Sequence, residues 1–200
     1  MKYVTIPDNA QRRLPFYLAM EEYVAAHVDE ESFFMWRVAP TVIIGRNQVL
    51  ENEVNMEYCR KAGVLVVRRK SGGGCVYSDM GNMMISFISD RGDVSAVFDR
   101  YMSALAASLC DLGLPAVASV RNDIMVDGRK VSGNAFHQLP DRSIVHGTLL
   151  YSTDLEALTE AIRPPVEKLQ RHGGEPVRQR VETHADYKDV SPVLDSAEIL

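Results

Sequence analysis

The chain has 200 residues, 46% of them hydrophobic and 24% charged, which suits one sizeable soluble domain or at most two small ones. A net charge of -5 and a pI near 5.6 argue against a broad nucleic-acid or anionic-membrane surface, because those need a dominant positive field. Cys59, Cys75 and Cys110 stand far apart with no CxxC or Cys/His spacing, so reduced cytoplasmic thiols fit better than disulfides or structural zinc, and the absence of ~18 consecutive apolar residues argues against a membrane span.

In chain order, Pro15 followed by Met20, Tyr23, Val24 and His27 predicts a first helix from about Leu14 to Val28. FFMWRV and TVIIGR read as strands split by Pro40, Asn52 as the cap of a helix ended by Gly63, and VLVVRR as a buried strand. Next come three cations and three glycines, VVRRKSGGGCVYSDMGN (66–82), with CVYS and MMISFIS as further strands. The glycine loop therefore links strand to strand. Phosphate loops of the GxxxxGK[ST] kind run from strand into helix and carry a lysine that this segment lacks. Residues 94–109 repeat at helical spacing before Gly113 and Pro115. Asp127-Gly128 marks a two-residue hairpin turn that sets Lys130, Ser132 and Asn134 on one face. SIVHGTLLYS is a strand leading to a helix from Asp154, stopped by Pro164 and Pro165; the polar stretch from Val166 reads as a mobile segment over the site.

Gly72, Gly73 and Gly74 let a ligand approach the main chain, and successive amides there can converge on an anion flanked by Arg68, Arg69 and Lys70. A surface basic turn is the plainer reading, but cations flanking an anion nest are the better account. Lys130 could be an ordinary hairpin lysine, but the small polar residues after it suggest a ligand lying across the strand. His146, before Gly147 and Thr148, could be a satisfied core histidine; Asn122 and Asp123 could cap a turn or handle a metal-bound phosphate. Cys75 reads as a small buried filler whose thiol, beside glycines and cations, is a possible nucleophile.

Taken together, RRKSGGGCVYSDMGN (68–82), RNDIMVDGRKVSGNAF (121–136), HGTLLYSTDLEAL (146–158) and VRQRVET (177–183) resemble the lipoate-protein ligase A family in order and spacing. The resemblance implies an α+β fold of mixed β-sheets flanked by helices, like the catalytic domains of biotin protein ligases and class II aminoacyl-tRNA synthetases. It also implies a two-step reaction. Lipoate and ATP give lipoyl-AMP and pyrophosphate, and the lipoyl group then passes to a lysine of a lipoyl domain, on a 2-oxoacid dehydrogenase E2 or on glycine-cleavage H protein. By the same resemblance Lys130 touches the acyl carbonyl and the α-phosphate, and Arg69 with the backbone of Gly74, Cys75, Val76 and Tyr77 binds nucleotide. Asn122 and Asp123 fall where phosphate and Mg²⁺ are handled. Ser71, Gly73, Asn82, Ser132, His146, Gly147 and Thr148 complete the implied contacts. The apolar lipoyl chain needs a tunnel, for which TVIIGR and MMISFIS, with Gly45 giving room, are the expected walls. Residues near 163–181 resemble the loop that closes over the adenylate.

Two departures matter. Ser78 stands where the family commonly has histidine before Asp79. The chain stops at Leu200, short of where the family's catalytic domain ordinarily finishes, so the expectation is one catalytic domain over residues 1–200 without the accessory domain, either a short type that works with a separate accessory polypeptide or a piece of a longer chain. Alternatives are an octanoyl or lipoyl transferase that uses an acyl-cysteine and no ATP, and a non-catalytic subunit that binds lipoyl-adenylate or lipoyl domains.

Overall fold

A computed structural model of the chain describes residues 1–8, 10–119 and 123–162. The first half carries β1 (Lys2–Tyr3), α1 (Leu14–His27), β2 (Ser32–Trp36), β3 (Thr41–Ile44), α2 (Leu50–Glu53), α3 (Met56–Ala62), β4 (Leu65–Arg68) and β5 (Val76–Ser78). The second carries β6 (Asn82–Asp90), α4 (Val94–Asp111), β7 (Ala116–Ala118), β8 (Asp123–Val126), β9 (Arg129–Gln138), β10 (Arg142–Leu150) and α5 (Leu155–Ala161). Seven strands form a sheet in the order β1-β2-β6-β10-β9-β8-β7, and three form a second, β4-β3-β5. The architecture is α+β with mixed sheets flanked by helices, as expected: β1 with β2 and β3 with β4 pair in parallel, the remaining neighbours antiparallel.

Strand alternation sorts the large sheet into two faces. Met84 and Ile88 of β6 and Ile144 of β10 pack with Leu14, Tyr17 and Val24 of α1. Ile85, Phe87 and Val145, one residue out of phase, pack with Val97, Phe98 and Leu109 of α4. A third cluster joins Val42, Ile44 and Tyr77 of the small sheet to Cys59 of α3 and Leu158 of α5. Leu14, Phe34 and Ile88 are fully buried, each worth about 1.5–3 kcal/mol of transfer free energy.

Three local expectations need correction. Asn55, not Asn52, caps α3, accepting from the Tyr58 amide, because the chain breaks at Val54 to bridge Ile162. VLVVRR is only half-buried, since β4 lies at the edge of the small sheet. The expected face shared by Lys130, Ser132 and Asn134 is broken by a bulge: Ile124 stands opposite Ser132 but Met125 opposite Lys130, which leaves Val131 as an extra residue. The positive φ of Asp127 (48°) and Gly128 (76°) gives the expected type I′ turn. Pro164, Pro165 and the stretches at 163–181 and 177–183 lie outside the described residues.

Candidate active site

Because β4 and β5 flank β3, residues 69–75 must cross the end of β3, and the three cations part company there. Arg68 Nη1 donates to the carbonyls of Gly45, Arg46 and Gln48 at 2.9, 3.1 and 2.8 Å. Lys70 Nζ pairs with Glu22 at 2.6 Å on the surface. Arg69 alone turns inward and is 5% exposed. Its Nη2 donates to the carbonyls of Gly72 and Gly74 at 2.6 and 2.8 Å, its Nη1 to that of Ile43 at 3.2 Å, and its Nε to Ser71 Oγ at 2.9 Å. The guanidinium thus holds the loop by its carbonyls, and burial lowers its pKa from the free value. Among the described residues, the amides of Gly73 and Gly74 donate to no backbone carbonyl. Gly73 has φ 89°, where a side chain is strained, and Gly45 must be bare because a Cβ there would lie 2.2 Å from the Gly73 oxygen. The room that Gly45 gives is taken by the glycine loop rather than by the tunnel wall expected from sequence.

The bulge at Val131 turns Lys130 onto the face of Gly133, whose missing side chain leaves the lysine its path: a Cβ there would stand 3.1 Å from both Cε and Nζ. Lys130 Nζ pairs with Asp123 Oδ1 at 2.8 Å. Ser132 and Asn134 take the opposite face, where Asn134 Nδ2 reaches Met102 Sδ of α4 at 3.2 Å. Ser132, fully buried there, is therefore removed from the Lys130 face on which the sequence reading set it.

Facing the glycine loop across the sheets, His146 joins a buried polar chain. Its Nε2 lies 2.7 Å from Ser71 Oγ, and its Nδ1 lies 3.0 Å from both carboxylate oxygens of Glu21 on α1. Ser86 Oγ donates to Glu21 Oε1 at 2.6 Å, and Trp36 Nε1 donates to Ser86 Oγ at 2.9 Å. His146 is thus hydrogen-bonded and buried, and it also meets the cavity.

That cavity, about 440 Å³, lies between the two sheets. One end is polar, with Arg69, Gly73, Gly74, Asp123 and Lys130; the other is apolar, with Leu14, Leu18, Trp36, Ile43 and Met84. Cys75, Val76, His146, Gly147 and Thr148 also line it. Ile43 and Met84 come from the two expected wall strands. Tyr77 points instead into the cluster around α5, and burial raises its hydroxyl pKa. Asn82 is fully buried, its Nδ2 donating to the Tyr77 carbonyl at 3.1 Å. Asn122 lies outside the described residues. Among the described residues no group of three or more His, Cys, Asp or Glu could cage a metal. Asp123 offers one carboxylate, which suits Mg²⁺ carried by a nucleotide's phosphates, since such ions need only one or two protein carboxylates.

Sequence reasoning missed Glu21, Trp36, Leu14 and Leu18. Glu21 left a signal: it falls at helical spacing with Leu14, Tyr17 and Val24, an acid on the buried stripe of α1.

The family model described as the lipoyl protein ligase A/B catalytic domain matches residues 14–198. Lipoate-protein ligase LplJ of Bacillus subtilis is 39% identical over 175 residues, which cover 86% of this chain and 53% of the relative. The chain therefore spans about half the length of that curated relative. A bi-partite lipoate protein ligase from Thermoplasma acidophilum, described with its E2 lipoyl domain, superposes with a TM-score of 0.79 at 26% identity, covering 96% of this chain and 80% of that one. A lipoate-protein ligase A bound with ATP gives 0.79 at 27% identity, covering 96% and 81%. The profile match, the identity to LplJ and a glycine loop set over the same cavity as Lys130 make this chain a member of the lipoyl protein ligase A/B catalytic-domain family.

Proposed function

We propose that this chain is the catalytic part of an ATP-dependent lipoate-protein ligase of the cytoplasm. The observation that carries the reading is one cavity with an apolar end fit for an acyl chain and a polar end where the glycine loop and Lys130 converge. In the first step the lipoate carboxylate attacks the α-phosphorus of ATP, the bond to the β-phosphate oxygen breaks, and pyrophosphate leaves with lipoyl-AMP remaining. Lys130 sits to neutralise charge building on the α-phosphate and acyl oxygens, and preorganised donors of this kind are worth about 3–4 kcal/mol each. The amides of Gly73 and Gly74 supply further donors, held in shape by Arg69. Mg²⁺ would neutralise phosphate charge, with Asp123 as a protein ligand. In the second step a lysine amine of a lipoyl domain, on a 2-oxoacid dehydrogenase E2 or on H protein, attacks the acyl carbonyl and AMP departs. Support for that acceptor class comes from the E2 lipoyl domain described with the Thermoplasma ligase. The bi-partite make-up of that enzyme supports a separate accessory polypeptide here.

Lipoate-dependent exchange of labelled pyrophosphate into ATP tests the reading. Exchange is expected from the chain supplied with any accessory polypeptide, and its absence under those conditions overturns the proposal. A second reading, acyl transfer through a thioester without ATP, draws on Cys75 in the cavity wall. Acyl transfer that needs no ATP and is abolished by Cys75→Ser would favour it.

A further inference from the structure

The buried polar chain has a direction. Arg69 Nε can only donate, so Ser71 Oγ accepts from it at 2.9 Å and turns its own hydrogen toward His146 Nε2 at 2.7 Å. Nε2 is then bare, and the ring proton sits on Nδ1, which faces both Glu21 oxygens at 3.0 Å. From the other side, Trp36 donates to Ser86 and Ser86 to Glu21. Every donor points at Glu21, as suits an ionised carboxylate, which accepts without donating. Glu21 is 3% exposed, and among the described residues no carboxylate pairs directly with the buried Arg69. Two opposite charges are thus buried with a serine and a histidine between them, and either one left alone there would be costly.

We propose that Glu21 is the counter-charge of Arg69, relayed through His146 and Ser71, and that it positions the guanidinium which shapes the glycine loop. Glu21 does not line the 440 Å³ cavity, so it acts as a positioning residue. Its consequence reaches the ligand through the Gly72 and Gly74 carbonyls that Arg69 holds. That the loop receives a nucleotide rests on the ligase reading above; the relay itself does not.

Two measurements test it. Nitrogen-15 NMR of histidine-labelled protein should find His146 protonated on Nδ1, and a resonance showing Nε2–H overturns the relay. Calorimetry in the absence of lipoate should show ATP affinity falling roughly tenfold in Glu21→Gln, the size of one charge-assisted hydrogen bond, with lipoate affinity within about twofold of wild type. Ser71→Ala cuts the relay while sparing Glu21, and should give the same ATP loss even if the Glu21 variant fails to fold. Unchanged ATP affinity with weakened lipoate binding overturns the proposal, because it makes Glu21 a support of the acyl wall alone. If the wild-type chain binds no ATP, the ligase reading fails, while the tautomer still decides the relay.

Discussion

Lys130 is the side chain to which the proposed chemistry assigns most, and little of the fold depends on it. It is a hairpin residue, 39% exposed, with one ion pair. Lys130→Ala should therefore leave stability within about 0.5 kcal/mol, since exposed positions rarely carry more. Pyrophosphate exchange should fall about 10²–10³-fold, the usual loss for one preorganised donor. Equal rates for the two proteins would take Lys130 out of the mechanism. Gly133→Ala asks a finer question of the same group. The added methyl meets the flexible end of Lys130 rather than backbone, so the lysine moves by a few tenths of an ångström and the fold is undisturbed. An approximately tenfold slower exchange with unaltered melting is expected, because small misplacements of a catalytic group cost rate before they cost stability. The Lys130 candidacy was legible from the small residues that follow it. The reason for those residues was not, because alternation along a strand cannot foresee the bulge at Val131 that turns the lysine onto the face of Gly133.

Among the elements, the small sheet and its glycine loop are built around a close approach of two chains. A Cβ on Gly45 would lie 2.2 Å from the Gly73 oxygen, a clash with backbone that no rotamer relieves. Gly45→Ala should push the loop off β3 and reduce ATP affinity by an order of magnitude or more, measured by calorimetry. An unchanged affinity would show that the loop does not hold the nucleotide. Asp79 plays another part at the same scale. Its oxygens accept from the amides of Gly81 and Asp154, tying the turn before β6 to the start of α5. Burial raises its pKa in spite of those bonds. A carboxyl whose pKa is raised on folding contributes stability that is present below its unfolded value and is lost as pH rises through the folded one. The stability of wild type relative to Asp79→Asn should therefore decline as pH is raised from below 3.8, and chemical denaturation across that range measures it. A relative stability that climbs with pH would mean that the two amides outweigh burial. The sequence announced helices, strands and the Asp127-Gly128 turn through periodicity and turn chemistry. It could not announce that β5 and β6, adjacent in the chain, belong to different sheets, because pairing is decided by packing.

For the molecule as a whole, the cavity lies between two sheets, and its polar and apolar walls come from both. A ligand that fills both ends ties the sheets together, whereas on the ligase reading acyl acid or nucleotide alone engages one end. An adenylate made in place presents both halves as a single molecule, so the second half binds without a fresh loss of translational freedom. Melting of the wild type with lipoate, ATP and Mg²⁺ together should consequently rise by more than the sum of the separate shifts. Saturation at about 100 times a dissociation constant is worth roughly 2.7 kcal/mol, or several degrees for a chain of this size. In Lys130→Ala the excess should vanish while the separate shifts persist, because the ends still bind and the covalent link is not made. Additive shifts in the wild type would show that no adenylate accumulates in the cavity. The cavity would then bind without activating, as expected of a subunit that carries lipoate or nucleotide and performs no ligation.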